Sequence, residues 1–193
     1  MPNLRKLLKK YYPIILLVLV VAVCIDLLSF SDVLTGPILE QRQQEEIMQK
    51  LEETFPDITD TVVVDDVYVV LDVNGILAYA VLATGMGYGG EIKTLVILED
   101  QETVHSIFVV KQTETPGLGG RVQTPEFTDQ FEGISIQDIR LKQDGGAVDG
   151  ITGATISSTT VTEMVRKKAL EQVEALPSEE DVQAALQQQQ ESE

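Results

Sequence analysis

The order of apolar and polar positions divides the chain into stretches of different period. Arg5, Lys6, Lys9 and Lys10 lie in the first ten residues without an acid, and residues 11–30 follow with Asp26 as their only charged side chain. Twenty residues rise about 30 Å as a helix, the hydrocarbon thickness of a bilayer, so 11–30 is expected to be a transmembrane helix. The positive-inside rule puts the basic segment 1–10 in the cytoplasm and everything beyond about residue 31 on the extracytoplasmic face. A cleaved signal peptide would have a shorter apolar region and a small-x-small cleavage site. A lipid-bearing cysteine would follow a small residue, whereas Val21-Ala22-Val23 precedes Cys24. Cys24 then reads as an apolar residue of the span, and Asp26 lies near its outer end, within reach of the interface.

Beyond the span the period changes. Gly36-Pro37 is expected to break the chain, and Ile47, Met48, Leu51 and Phe55 recur at helical spacing, predicting an amphipathic helix from about 38 to 54 that ends at Pro56. Residues 62–64, 67–73 and 76–83 are β-rich, with Asn74-Gly75 as a type I′ hairpin signal. Two more β-rich runs, 92–98 and 104–110, are joined by a polar turn at 99–102. The centre is thus an antiparallel sheet. Phe131, Ile134, Ile136 and Ile139 lead to a Gly-rich loop at 145–153, and a final helix is expected over about 157–176, ended by Pro177. The Gln/Glu-rich segment 177–193 reads as a solvated, partly disordered tail. The fold class is α+β, divided as a basic terminus 1–10, a membrane helix 11–30, a linker and amphipathic helix 31–56, one domain over 57–176 and a polar tail 177–193.

Charge and composition narrow the function. The formal net charge is −17, and residues 31–193 hold 10 basic against 30 acidic side chains, which repel phosphate backbones and argue against nucleic-acid partners. One Cys excludes an internal disulfide framework or a four-cysteine cluster, and a single histidine, His105, removes most zinc and haem constellations. Redox chemistry would need an organic cofactor. With 44% apolar residues and no Trp, the core is expected to be built from Val, Ile, Leu and Ala.

Three motifs remain. Gly85-Met86-Gly87-Tyr88-Gly89-Gly90 satisfies G-x-G-x-x-G but is followed by a strand-like run, not the helix a dinucleotide site requires, so its glycines serve either a tight turn or a close approach to a flat ligand. Glu114-Thr115-Pro116-Gly117-Leu118-Gly119-Gly120 is a turn that displays Leu118 between glycines and is equally compatible with a structural loop. In the third, 149–158, the run Thr152-Gly153-Ala154-Thr155-Ile156-Ser157 exposes the Thr155 hydroxyl at a helix N-terminus, where orphan N–H groups favour a phosphate. An ordinary Ser/Thr N-cap is the alternative there.

Taken together, the order and wording of Glu114-Thr115-Pro116-Gly117-Leu118-Gly119 and Thr152-Gly153-Ala154-Thr155 resemble the FMN-binding domain family found in the G subunit of the Rnf electron-transport complex and in the C subunit of the sodium-translocating NADH:quinone reductase. The resemblance runs from the membrane helix to about Val173. It implies that Thr155 carries FMN through a phosphoester, that Thr152, Gly153, Ala154 and Ser157 flank the phosphate, and that Gly87, Tyr88 and Gly89, with Glu114, Thr115, Pro116, Gly117, Leu118 and Gly119, lie along the flavin. It further implies a flavin transferase that uses FAD and Mg²⁺, other subunits of an Rnf-type complex as partners, contact with membrane lipid, and no catalytic residue or metal in this chain. The chain's short length resembles the Rnf subunit more than the quinone-reductase one. A non-redox interaction module with Gly-rich loops is the contrasting class, separable by bound flavin.

Overall fold

The computed structural model describes residues 3–192, apart from the side chains of 3–10, 13, 15, 27–40 and 189–192. It divides into two units, Met1–Glu45 and Glu46–Glu193. Helix α1 (Asn3–Thr54) begins in the first and ends in the second. It runs through Gly36-Pro37, where the sequence predicts a break. A proline inside a helix removes one i→i−4 hydrogen bond and its ring crowds the carbonyl four residues back, at a cost of about 3 kcal/mol, yet the helix continues past it. In the first unit Ile14, Leu16, Leu17, Val18, Leu19 and Val20 are all exposed. Among the described residues no helix is long and apolar enough to cross a membrane. Of the expected span 11–30, the side chains of 13, 15 and 27–30 lie outside the described residues.

The second unit is an antiparallel meander of six strands in sequence order: β1 (Asp60–Val64), β2 (Val67–Asp72), β3 (Gly75–Met86), β4 (Glu91–Leu98), β5 (Thr103–Lys111) and β6 (Ile134–Ser135). A short helix α2 (Pro125–Thr128), then α3 (Thr155–Val173) and α4 (Glu179–Ser192) complete it. Both sheet faces are buried, so period-2 alternation sorts apolar residues between two clusters rather than between core and water. Ala78, Ala80, Leu95 and Ile97 face one way and meet Ile47 and Leu51 of α1's last turns and Phe55 just after them. Val81, Ala83, Ile92, Val96 and Leu98 face the other way, toward Val161 and Val165 of α3 and Phe127, Phe131, Ile136 and Ile139 of the connection.

Two local expectations are corrected. The β2–β3 hairpin forms, but Asp72 pairs with Gly75, so its two loop residues are Val73 and Asn74. Neither has positive φ, so the turn is not type I′. The Asp72 side chain holds it instead by accepting from the Asn74 and Gly75 N–H groups at 2.6 and 3.0 Å. The geometry expected of type I′ occurs between β1 and β2, where Asp65 and Asp66 take φ of 47° and 67° between the paired Val64 and Val67. The expected solvated tail is helix α4. Ser178 and Asp181 cap it reciprocally, the Ser178 hydroxyl donating to Asp181 at 2.6 Å and accepting from the Asp181 N–H at 3.3 Å. Val182 is buried, with Ala185 and Leu186 packed on the same cluster.

Candidate functional site

The three motifs meet at one end of the sheet. Met86 pairs with Glu91 across the β3–β4 connection, leaving 87–90 as a four-residue loop closed by the Gly87 N–H donating to the Gly90 carbonyl at 2.8 Å. The strand that follows confirms that this G-x-G-x-x-G opens no helix. After β5 the chain enters the second motif, where the Thr115 carbonyl accepts from the N–H groups of Leu118 and Gly120, both at 3.1 Å. Gly117 sits at φ +78° in this turn, a conformation that disfavours a side chain. The third motif turns at Gly153, φ +82°, with the Ala154 N–H reaching the Ile151 carbonyl at 3.0 Å.

Helix α3 therefore starts two residues earlier than expected, at Thr155. Its cap residue is Ala154, which makes no side-chain capping bond. The hydroxyls near the helix start are divided by direction. Ser158 is buried, accepting from the Ile151 N–H and donating to the Ala154 carbonyl, each at 3.0 Å. Thr155 is exposed. Ordinary Ser/Thr capping thus does not account for Thr155, and the first-turn N–H groups keep the partial positive charge of a helix N-terminus.

Glu114 ties the three motifs together. It is 6% exposed; one carboxylate oxygen accepts from the Gly89 N–H at 2.9 Å and the other from the Ser157 hydroxyl at 2.7 Å. These partners lie 25 and 43 residues away in sequence. A Cβ on Gly87 or Gly119 would collide with this carboxylate, and one on Gly89 would meet the Thr113 carbonyl at 2.5 Å. The glycines are thus required by the protein's own packing.

Over this tie lies a cavity of about 470 Å³, lined by Tyr88, Glu114, Thr115, Leu118, Gly119, Gly153, Ala154, Thr155, Ile156 and Ser157. That is within the range of small-molecule sites. Nine of these ten residues are among the sequence candidates; Ile156 is not. It is 55% exposed, as Tyr88 and Leu118 are at 76% and 49%, and its displacement from the buried α3 stripe that includes Ser157, Val161 and Val165 is the signal that could have found it. Gly87, Gly89, Pro116 and Gly117 do not line the cavity. Thr152 lines a neighbouring, more polar one of about 340 Å³ with Arg121, Gln130 and Asp149. His105 lies elsewhere, on β5, with its ring 4.9 Å from that of Phe55.

Residues 87–171 match the FMN-binding domain family. The chain is 35% identical over 164 residues to the G subunit of the ion-translocating oxidoreductase complex of Methanosarcina acetivorans, covering 78% of this chain and 87% of that protein. It is 32% identical over 146 residues to the G subunit of the proton-translocating ferredoxin:NAD(+) oxidoreductase complex of Clostridium ljungdahlii, covering 72% of this chain and 78% of the relative. A crystal structure of the C subunit of Na(+)-translocating NADH-quinone reductase from Parabacteroides distasonis shares the fold, with a TM-score of 0.52, 23% identity and coverage of 63% of this chain and 79% of that one.

Proposed function

Because the chain belongs to the family of G subunits of ion-translocating oxidoreductase complexes and contains an FMN-binding domain, we propose that it is an electron-relay subunit of an Rnf-type complex, with FMN joined through its phosphate to the Thr155 hydroxyl. The observation that carries this reading is the state of Thr155. It is an exposed hydroxyl at the first position of a 19-residue helix, following a cap residue with no side-chain hydrogen bond, on the wall of a cavity.

The residues present fit such a group. The N–H groups of the first turn of α3 would stabilise the phosphate charge, with Gly153, Ala154 and Ser157 flanking it and Thr152 just outside. Tyr88, Leu118 and Ile156 supply exposed apolar surface, and the loops 87–89 and 114–119 would run along the ring system. When bound, FMN supplies the one- and two-electron chemistry, while the protein sets its position and polarity. The family resemblance implies that a separate flavin transferase makes the ester, which leaves Thr155 as the attachment point and not a catalytic nucleophile. An ester to the chain replaces a dissociation equilibrium with permanent retention, which suits a domain outside the cytoplasmic FMN pool.

The same reading places residues 11–30 across the membrane. The segment has one charged side chain, Asp26, and a basic flank. Its described apolar side chains are exposed on every side of the helix, as in a segment solvated by lipid. The acidic domain then lies outside, and electrons reach Thr155's flavin only through other subunits.

The test is in-gel flavin fluorescence after denaturation of the full chain produced with a flavin transferase. The wild type should give a fluorescent band and Thr155→Val none. A Thr155→Val band as bright as the wild type would refute the assignment.

A further inference from the structure

We propose that Glu114 is the positioning residue for Thr155: its buried carboxylate clips the 87–90 loop to the first turn of α3 and so holds the attachment hydroxyl at the mouth of the cavity. This inference rests on the reading of Thr155 as the attachment point. It assigns Glu114 a role through the chain itself, where the motif alone suggested a residue lying along the cofactor.

Four observations converge. The carboxylate has two donors, the Gly89 N–H at 2.9 Å and the Ser157 hydroxyl at 2.7 Å, and these come from the two other motifs. A buried carboxylate is tolerated only when it is well hydrogen-bonded, so breaking either contact is costly and the three segments are held as a unit. Ser157 lies two residues after Thr155, in the same turn, so the direction of the turn that presents Thr155 is set where Ser157 is anchored. The Glu114 backbone is itself fixed, its N–H donating to the Gln112 side chain at 2.6 Å. Finally, space has been kept for this carboxylate, because Gly87 and Gly119 approach it from both sides too closely for any Cβ.

Geometry and charge can be separated by substitution. In Glu114→Gln the amide oxygen can still accept from Gly89 and the amide N–H₂ can donate to the Ser157 oxygen, so both contacts survive without the charge. In Glu114→Ala both are lost. The full chain, co-produced with a flavin transferase, is compared as wild type, Glu114→Gln, Glu114→Ala and Thr155→Val, with folding checked by circular dichroism. Two quantities are read: the initial rate of flavin acquisition, and hydrogen exchange at the Gly89 amide in chain produced without the transferase. Glu114→Ala should slow acquisition by at least about tenfold and speed Gly89 exchange by a similar factor, the effect of losing one hydrogen bond to a charged acceptor. Amides of the central strand β4 should be unchanged, and Glu114→Gln should stay within about threefold of wild type in both readouts.

A folded Glu114→Ala chain that acquires flavin as fast as wild type would overturn the proposal, as would a Glu114→Gln chain as slow as Glu114→Ala, which would make charge and not position decisive. Flavin on Thr155→Val would instead refute the attachment site. The Gly89 amide reports the clip with no flavin present, so unchanged exchange in Glu114→Ala overturns the clip whatever the modification assay shows.

Discussion

Replacing Gly119 with alanine adds a single methyl group at the most crowded point of the site. Its Cβ would lie 2.6 Å from the Ser157 hydroxyl oxygen and 3.0 Å from the Glu114 Cβ, and closer still to a Glu114 carboxylate oxygen. Neither neighbour can swing into solvent, since Glu114 is 6% and Ser157 1% exposed. Overpacking of this kind costs about 1–3 kcal/mol, and losing the Ser157–Glu114 hydrogen bond costs about 1.5–3 kcal/mol more. Restricting the unfolded chain offsets about 0.4–1 kcal/mol. The net loss is about 2–5 kcal/mol, which for a domain of this size lowers Tm by about 5–15 °C. Gly117→Ala is the control: its φ of +78° brings strain, but nothing lies within 4 Å of the added Cβ, so it should cost only about 1–2 kcal/mol. Thermal unfolding of the full chain in detergent, followed by circular dichroism, measures both. The Glu114→Ala/Gly119→Ala pair should fall short of the sum of its members by more than about 0.5 kcal/mol, because both damage one contact. A Gly119→Ala chain as stable as Gly117→Ala, or a strictly additive double variant, would refute the reasoning.

Two further outcomes are expected. The Ser178 hydroxyl and N–H hold the Asp181 carboxyl below the usual carboxylate range, so its contribution to α4 is present above the unfolded pKa and lost as pH falls through the lower folded value; exchange of the Val182 amide, which donates to the Ser178 carbonyl at 3.1 Å, should quicken at acid pH after correction for intrinsic rates. Asp181→Ala should show the faster rate already at neutral pH, and protection equal to wild type would count against the cap. For topology, protease added to cells whose outer face is accessible should digest the chain beyond about residue 35 and spare an N-terminal tag; a protected flavin domain in such cells would contradict the membrane placement.

The sheet was legible because its strands are β-branched and separated by turn residues, and because both faces are apolar: 67–72 of the expected run 67–73, with 76–83, 92–98 and 104–110, fall on observed strands, while Val73 lies in the β2–β3 loop. Turn type was not, since Asp65 and Asp66 adopt positive φ to suit the pairing of Val64 with Val67, while Asn74-Gly75 yields to the side chain of Asp72. Helix α4 was missed because Val182, Ala185 and Leu186 form a thin stripe in a Gln/Glu-rich segment, and its value depends on a cluster supplied by distant residues. At the site, small residues marked the three motifs one by one. Their connection through Glu114 could not be read, because the Glu114–Ser157 contact joins positions 43 residues apart and no local period encodes it.

Peptide mapping by mass spectrometry reads the modification of Thr155 without reference to activity. The full chain, purified from cells that contain a flavin transferase, is digested and the peptide bearing 149–158 is fragmented. A mass increase equal to one FMN less one water, localised to Thr155, is the predicted result. An unmodified Thr155 in a chain that nevertheless retains flavin after denaturation, or the same increase on another residue, would contradict it.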